Sequence, residues 1–314
     1  MALSSTKEVP LIRIFAAASL AASVLTSGAA CAAPAPRTSE IGHVFVIVME
    51  NRDWPEIKGS ASAPYINGTL LPAASYANNY KNPPGLHPSL PNYIWMEAGT
   101  NLGIVDDRDP AANHRPTASH LVSLLRRAGI SWKSYQEDIP GTTCPLIVID
   151  KYAPKHNPMV YFDDVTTSES YCIEHIRPYT ELARDLEVDT VPAYSFITPN
   201  LCNDMHDSSG CASTDSIRNG DDWLARQVPK IIASAAYKRD GALFITFDEG
   251  QGTSDRPIAL IALSRYAKGG GYSNNIPYTH SSLLRTVQHI FGVMPLLGDA
   301  AAAQDLGDLF VTWR

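Results

Sequence analysis

Five short polar clusters carry the residue types that hydrolytic chemistry needs. They contain acids, amides, a hydroxyl and imidazoles, and three of them follow apolar runs at 44–49, 191–197 and 242–247. In a parallel sheet, ligands collect where the carboxyl ends of the strands and their loops converge. Residues far apart in sequence could therefore form one site, and their chemistry suits a metal-assisted hydrolase. The clusters are Glu50-Asn51, 87–93, 203–207, Asp248-Glu249 and Thr279-His280.

Two of these clusters are strand-end pairs that offer oxygen ligands. Glu50 and Asn51 place a carboxylate beside an amide oxygen, which suits Mg²⁺, Ca²⁺ or Mn²⁺. The structural alternative is a strand-end turn in which Asn51 caps the next segment. Asp248 and Glu249 are adjacent carboxylates, which point to opposite faces of a continuing strand and reach one ligand only in a loop. Gly250, the next residue, favours such a loop.

Two clusters place a polar side chain at a predicted helix start. Ser89 stands in HPSLPNY (87–93), where a hydroxyl would lie among backbone N–H groups that attract phosphate. It is either a helix cap or a nucleophile, and a nucleophile needs a metal or a base to lower the hydroxyl pKa. His87 is either a phosphate donor or a hydrogen-bonding loop residue. His280 is a capping-turn histidine unless the other clusters lie beside it.

The cluster at 203–207 places two acids and an imidazole within one loop, flanked by Cys202 and Cys211. His206 suits metal ligation or proton transfer to a leaving group. Asp204 could bind a metal or orient the imidazole. The structural alternative is a solvated turn rich in Asp and Asn.

Apolar patterning predicts the elements that would position these clusters. Continuous apolar runs indicate strands covered on both faces, and amphipathic segments indicate helices. Their alternation predicts an α/β fold with a central, mostly parallel sheet and helices on both faces. Residues 138–190 are predicted to form an irregular, substrate-facing excursion. Besides the helix start that follows Ser89, helices are predicted to begin at 119, 220 and 279, and further strands are predicted at 130–135 and 257–264.

Composition bounds the class of protein. The chain has 314 residues, 45% hydrophobic and 18% charged, as in one large globular domain with many shaped loops. A net charge of −7 without basic runs disfavours a nucleic-acid partner.

The amino terminus has the layout of an export signal. Lys7 and Arg13 precede an apolar stretch at 14–26, which is too short for a membrane span. We therefore expect a signal peptide at 1–32 and a single domain at 33–314, with secretion or export to the periplasm. Cys31 is a poor lipoprotein acceptor because Gly28 stands where a Leu-like residue is expected.

Removal of the leader leaves four cysteines: Cys144, Cys172, Cys202 and Cys211. An even number in an exported chain indicates two disulfides. Of the three possible connectivities we favour the local one, Cys144–Cys172 and Cys202–Cys211.

Seven motifs, in order along nearly the whole chain after the leader, resemble the phosphoesterase family. That family contains bacterial phospholipases C and acid phosphatases, lies within the alkaline-phosphatase-like superfamily, and includes the small secreted acid phosphatases of mycobacterial type, which are the most similar. The resemblance implies an alkaline-phosphatase-like fold. The motifs are VIVMEN, HPSLPNY, the run at 143–162, TPNLCNDMHD, GDDWL, TFDEG and THSSLLRT.

The resemblance also implies one divalent metal ion, Ca²⁺, Mg²⁺ or Mn²⁺, held by Glu50, Asn51, Ser89 and Asp248. Ser89 would be the nucleophile and would pass through a phosphoseryl intermediate. Two-metal relatives carry His after the strand-end Asp, whereas this chain has Glu249, which favours a single metal.

The remaining implied roles belong to the phosphate site and its surroundings. By resemblance, His87, Asp204, His206 and His280 line the phosphate site or assist the leaving group. Asn92, Lys155 and His156 would contact substrate, and Asp207 and Glu249 would support the residues that touch it.

The sequence therefore predicts a secreted acid phosphatase for phosphomonoesters, phosphoinositides among them. Its partner would be a small phosphorylated substrate or a phosphorylated lipid headgroup. The alternative is a phospholipase C, although those relatives are commonly longer and carry additional carboxy-terminal domains. A binding module without chemistry would show gaps in the constellation, and none of its members is missing.

Overall fold

The computed structural model describes residues 1–5, 8, 39–207 and 209–312. Its contacts divide the chain into two units, 1–33 and 34–314, and the architecture below is that of the second. The predicted signal peptide at 1–32 lies almost entirely outside the described residues and stays a prediction. In the part that is described, no helix is long and apolar enough to span a membrane.

Ten strands form two sheets within residues 39–207 and 209–312. They are β1 (His43–Met49), β2 (Ser75–Ala77), β3 (Tyr80–Lys81), β4 (Trp132–Gln136), β5 (Ile176–Pro178), β6 (Tyr194–Thr198), β7 (Gly241–Phe247), β8 (Leu260–Ser264), β9 (Ser273–Asn274) and β10 (Tyr278–Thr279). The large sheet has the order β5-β4-β6-β1-β7-β8-β2-β9, and β3 pairs with β10 separately. Of these eight strands only β8 runs against the rest. The prediction of a mostly parallel sheet is confirmed.

Eleven α-helices accompany the described strands. They are α1 (Trp54–Ile57), α2 (Leu71–Ala73), α3 (Ser89–Ala98), α4 (Pro110–Asn113), α5 (Leu121–Arg127), α6 (Asp163–Thr166), α7 (Glu169–His175), α8 (Thr180–Glu187), α9 (Ser216–Ala233), α10 (Ala235–Asp240) and α11 (His280–Phe291). A π-helix lies at Ile66–Leu70, and 3₁₀ turns lie at Pro154–His156, Pro158–Tyr161, Gly298–Ala301 and Gly307–Leu309. As predicted, Thr279 caps α11 and Gly292 ends it in the left-handed region, at φ 64°.

The three central strands explain why their apolar runs are unbroken. Every residue of β6 and β7, and every residue of β1 after His43, is buried. Since side chains alternate between the two faces of a strand, both faces of the sheet are covered. β1 pairs in parallel with β6 on one side and β7 on the other. The carboxyl ends of β6, β1 and β7 therefore lie next to one another on the same side of the sheet.

The longest helix differs from its predicted bounds. α9 begins at Ser216, not at 220, because the Asp215 side chain accepts a hydrogen bond from the Arg218 N–H and caps the helix there. Asp221, predicted in the first turn, lies inside the helix, where its carboxylate accepts the N–H groups of Tyr65 and Ile66 at 2.8 Å each.

The segment 138–190 is not the irregular excursion that its composition suggests. It contains α6, α7 and α8 and adds the edge strand β5, which pairs with β4. The disulfide Cys144–Cys172 ties its start to the buried side of α7, and Cys202–Cys211 closes the loop after β6. Both predicted pairings are confirmed.

Candidate active site

The carboxyl edge of the central strands brings three of the predicted clusters together. Glu50 follows β1, Asp204 lies in the loop after β6, and Asp248 follows β7. The Glu50 N–H donates to the Asp204 carbonyl at 2.8 Å, and the Asp248 N–H donates to the Met49 carbonyl at 3.0 Å. The parallel register therefore assembles residues that lie almost two hundred positions apart.

Glu50 is fully buried, as are Asp204 and Asp248. The Glu50 side chain accepts the Ser89 hydroxyl on Oε2 at 3.1 Å and the Tyr93 hydroxyl on Oε1 at 2.6 Å. His156 Nε2 lies 3.3 Å from the same Oε1. Burial, followed by the charges of Asp248 and Asp204, holds the pKa of Glu50 well above its usual range.

Asn51 and Asp248 face each other across the β1–β7 edge. Asn51 adopts the left-handed region at φ 50°, which Asn tolerates, and its N–H donates to Asp248 Oδ1 at 3.1 Å. Burial raises the pKa of Asp248 to about 6, although hydrogen bonds from the backbone of Asn51 and Glu249 oppose that rise. Asn51 Oδ1 and Asp248 Oδ2 are buried and have no hydrogen-bond partner within the described chain.

These unpartnered oxygens test the predicted metal site. Among the described residues, no three His, Cys, Asp or Glu side chains converge to hold a metal ion. The predicted set is mixed, however, because it combines the carboxylates of Glu50 and Asp248 with the amide of Asn51 and the hydroxyl of Ser89. Hard oxygen donors of this kind suit Mg²⁺, Ca²⁺ or Mn²⁺, and a cation would satisfy the buried acceptors. The residues therefore fit such a cation.

Ser89 is the first residue of α3 and is 2% exposed. The helix start offers fewer free N–H groups than its sequence suggests, since the Leu90 N–H donates to Asp107 Oδ1 at 2.9 Å and Pro91 has none. The hydroxyl itself points toward Glu50. The structure thus places a buried hydroxyl against a carboxylate at the convergence of the strands.

His206 lies at the open side of the site. Its side chain is 30% exposed, and Nδ1 lies 2.8 Å from Asp207 Oδ1, while its N–H donates to Asp204 Oδ1 at 2.8 Å. Burial would raise the pKa of Asp207, but hydrogen bonds from His206 and Lys151 outweigh it and lower the pKa. Asp207 thereby fixes the orientation of the ring through Nδ1.

His87 lies between two carboxylates. Its Nδ1 is 2.6 Å from Glu249 Oε2, and its Nε2 is 3.4 Å from Asp255 Oδ1. Asn92, one turn into α3, donates to the same Glu249 oxygen at 3.2 Å. Burial, then the charges of Asp248 and Asp107, raise the pKa of Glu249 to about 9. Glu249 thus supports His87 and Asn92.

His280 is held by both ring nitrogens. Nε2 lies 2.6 Å from the Asp248 carbonyl, and Nδ1 lies 3.1 Å from the Tyr80 hydroxyl. The ring is fully buried, and burial lowers its pKa to about 4. This placement favours fixing the backbone of Asp248 over protonating a leaving group.

Lys155 and His156 approach the site from a 3₁₀ turn. Lys155 Nζ donates to Asp107 Oδ2 at 3.0 Å, and burial, which lowers its pKa, is outweighed by the charges of Glu50 and Asp107, which raise it. His156 is buried, stacked on Tyr93, and lies 3.5 Å from Asp204 Oδ2. Burial, then the positive charge of Lys155, keeps the His156 pKa well below its usual range.

Sequence reasoning missed two residues of this assembly. Tyr93 was available from its spacing, because it lies four residues after Ser89 and therefore on the same helix face. Asp107 gave no such signal. It joins the start of α3 to Lys155 across two separate loops, a contact that only the folded chain creates.

Comparison of the sequence with known proteins shows its family. Residues 78–294 match the model of the phosphoesterase family. A phosphatidylinositol-3-phosphatase of Mycobacterium tuberculosis is 31% identical over 96% of this chain and 96% of its own length. A phosphate-repressible acid phosphatase of Penicillium chrysogenum is 31% identical over 68% of this chain, which spans 51% of that protein.

The fold agrees with this relationship. A protein of the alkaline phosphatase superfamily from Vibrio parahaemolyticus superimposes with a TM-score of 0.60, covering 86% of this chain and 71% of its own, at 10% identity. The chain belongs to the phosphoesterase family. The sequence-based prediction of an alkaline-phosphatase-like hydrolase of phosphate esters is confirmed.

Proposed function

We propose that this protein is an acid phosphatase that hydrolyses phosphomonoesters, with Ser89 as nucleophile. The contact between the buried Ser89 hydroxyl and Glu50, at 3.1 Å, carries the proposal. A hydroxyl at a helix start that contacts one buried carboxylate, near a second acid (Asp248) with an unpartnered oxygen in the described chain, is suited to activation at that position.

A divalent cation held by Glu50, Asn51, Ser89 and Asp248 would supply positive charge that lowers the hydroxyl pKa and offsets phosphate charge. This chain's own groups supply the rest. Lys155 brings a cation whose charge reaches Glu50 and Asp248, and His87 offers Nε2, which is buried and has no hydrogen-bond partner in the described chain. Such donors would orient the phosphoryl group for in-line attack by Ser89 Oγ.

The covalent step transfers the phosphoryl group to Ser89 Oγ, whose proton passes to the Glu50 carboxylate that it contacts, and breaks the bond from phosphorus to the leaving oxygen. His206, which is partly exposed and oriented by Asp207, would give a proton to that oxygen. Water then attacks phosphoserine and releases inorganic phosphate. His280 stays outside the proton transfers because its Nε2 engages the Asp248 carbonyl.

The proposed substrate class includes phosphoinositides, since the relative that matches along 96% of both chains is named for one. Action outside the cytoplasm is proposed from the predicted leader and from the two disulfides, which persist in oxidising compartments.

Phosphate release from p-nitrophenyl phosphate tests the proposal. Ser89→Ala should lower kcat by about three orders of magnitude or more, as nucleophile removal does elsewhere. Acid-quenched enzyme should yield a phosphorylated peptide containing Ser89. A chelator should abolish turnover, and Mg²⁺, Ca²⁺ or Mn²⁺ should restore it.

Ser195→Ala is the matched control. Ser195 is also fully buried, on β6, and within the described chain its hydroxyl has no partner. This variant should keep full activity. Retained turnover in folded Ser89→Ala would refute the nucleophile, and faster hydrolysis of phosphatidylcholine than of monoesters would replace the phosphatase with a phospholipase C.

A further inference from the structure

Two adjacent apolar side chains stand in solvent beside the proposed active site. Ile147 is 65% exposed and Val148 is 58% exposed. Every other large exposed hydrophobic residue in 39–207 and 209–312 is isolated along the chain. Single exposed apolar residues are ordinary, whereas contiguous exposed apolar surface is the kind that marks an interaction site. We name Ile147 and Val148 the apolar tip.

The apolar tip is mounted on a firmly held loop. The disulfide at Cys144 joins its start to α7, and the Tyr152 hydroxyl donates to the Pro145 carbonyl at 2.8 Å. The backbones of Ile149 and Tyr152 also exchange hydrogen bonds at 2.8 and 3.2 Å. The tip therefore keeps its exposure without support from a partner.

The same loop is tied to the residues that would handle the leaving group. Lys151 Nζ donates to Asp207 Oδ2 at 3.2 Å, and the Lys151 carbonyl accepts the Leu201 N–H at 3.1 Å. Asp207 in turn contacts His206. The apolar tip therefore belongs to a loop that is joined, through Lys151 and Asp207, to the loop that carries His206.

A second loop repeats this arrangement. Val105 is 70% exposed and stands two residues before Asp107, which contacts both Lys155 and the start of α3. Two separate loops thus join the site to exposed apolar side chains.

We propose that the apolar tip, with Val105, inserts into the interface of a phospholipid bilayer and presents a phosphorylated lipid headgroup to Ser89. This rests on the proposed function and adds how the substrate is reached. A few apolar side chains are too little for a stable protein interface, which buries about 800 Å² per partner. They are enough for shallow anchoring beside headgroups. With a net charge of −7, attachment would be apolar rather than electrostatic.

The test compares one headgroup in two physical states. Vesicles of phosphatidylcholine containing phosphatidylinositol 3-phosphate are one substrate, and the water-soluble dibutanoyl form of the same lipid is the other. I147S/V148S should lower vesicle hydrolysis about tenfold, since partial burial of two apolar side chains contributes on that order. Turnover of the soluble form and of p-nitrophenyl phosphate should stay unchanged.

Val188→Ser is the matched control. Val188 is 54% exposed and follows α8. It lies in the connection to the amino-terminal end of β6, whereas the candidate site lies at the carboxyl ends of the strands. It should leave both activities unaltered. An equal ratio of vesicle to soluble turnover in I147S/V148S and wild type would overturn the proposal while leaving the phosphatase intact.

Vesicle binding is measured separately from turnover. If no substrate were hydrolysed, the proposed function would be refuted, but membrane docking could still be tested. V148W should show a blue-shifted emission component when phosphatidylcholine vesicles are added, with little dependence on salt. An unchanged spectrum overturns the proposal. So does wild-type self-association in sedimentation velocity that I147S/V148S abolishes, because the tip would then be a protein interface.

Discussion

Glu50 and Glu97 begin from the same local chemistry and end in different roles. Both are fully buried, both have pKa values raised by burial, and each accepts a tyrosine hydroxyl on Oε1. Tyr93 donates to Glu50 at 2.6 Å, and Tyr194 donates to Glu97 at 3.2 Å. Glu97 stands near the end of α3, the helix whose first residue is Ser89.

The difference lies in what else reaches each carboxylate. Glu50 contacts Ser89 and His156 and interacts with the charges of Asp204 and Asp248. Glu97 has no second acid among the causes of its pKa shift, and its Oε2 has no hydrogen-bond partner in the described structure. A single buried acid therefore destabilises the folded state, whereas several acids together at the carboxyl ends of strands are typical of a functional site.

The largest expected effect comes from neutralising each glutamate. Glu50→Gln should lower phosphatase kcat by about three orders of magnitude, because it removes the charge that contacts Ser89 and that would hold the proposed cation. Glu97→Gln should keep activity within about twofold, since the side-chain hydrogen bond of Glu97 in the described chain is to Tyr194, which is not a predicted site residue. Steady-state hydrolysis of p-nitrophenyl phosphate measures both. Comparable losses would erase the distinction between the two acids.

The second effect is on stability as a function of pH. Burial raises the folded-state pKa of Glu97 to about 8, so unfolding releases a proton between that pH and the ordinary Glu value. Stability from this group is present below the unfolded pKa and is lost as pH rises through about 8. Between pH 5 and pH 8, the unfolding free energy of wild type should therefore fall by about 3–4 kcal/mol relative to that of Glu97→Gln. Urea titrations at the two pH values measure it, and a pH-independent difference would contradict it.

A third prediction concerns the ion pair between Asp107 and Lys155. The charge of Lys155 affects the pKa of Glu50, and it is not among the causes of the Glu97 pKa shift. Asp107→Asn keeps an oxygen for the Leu90 N–H and removes the charge that holds Lys155. We expect kcat/KM to fall about tenfold, as for loss of one charged positioning contact. Asp107→Glu should recover part of the activity. Equal losses in both variants, with lowered melting temperatures, would mean that Asp107 only stabilises the fold.

The smallest effects come from the paired tyrosines. Removal of either hydroxyl should cost about 1–2 kcal/mol of unfolding free energy, because a buried acceptor loses its donor. Tyr93→Phe should in addition lower kcat several-fold, whereas Tyr194→Phe should leave kcat unchanged. Thermal melts and p-nitrophenyl phosphate assays on the two variants suffice. A kcat effect of Tyr194→Phe would show that α3 couples its two ends.

Sequence patterning predicted the central elements because each carried its own signal. The runs that became β1, β6 and β7 are apolar on both faces, and α11 has a cap at Thr279 and a terminator at Gly292. The start of α9 was missed because Asp215 competes as a cap with the acids that follow it. The segment 138–190 was misread because its helices are short and its strand gains stability only by pairing with β4.

The sequence by itself determined which residues could act: the strand-end acids, Ser89 at its helix start, and the histidines, since type and spacing are local properties. Tertiary structure decided which of them meet and in what state. Register across β6, β1 and β7 brought Glu50, Asp204 and Asp248 to one edge. Tertiary packing gave both ring nitrogens of His280 a hydrogen-bond partner. It also placed Glu50 among other acids of the candidate site, whereas Glu97 is buried away from them. Burial and contact depend on partners distant in the chain, which spacing cannot supply.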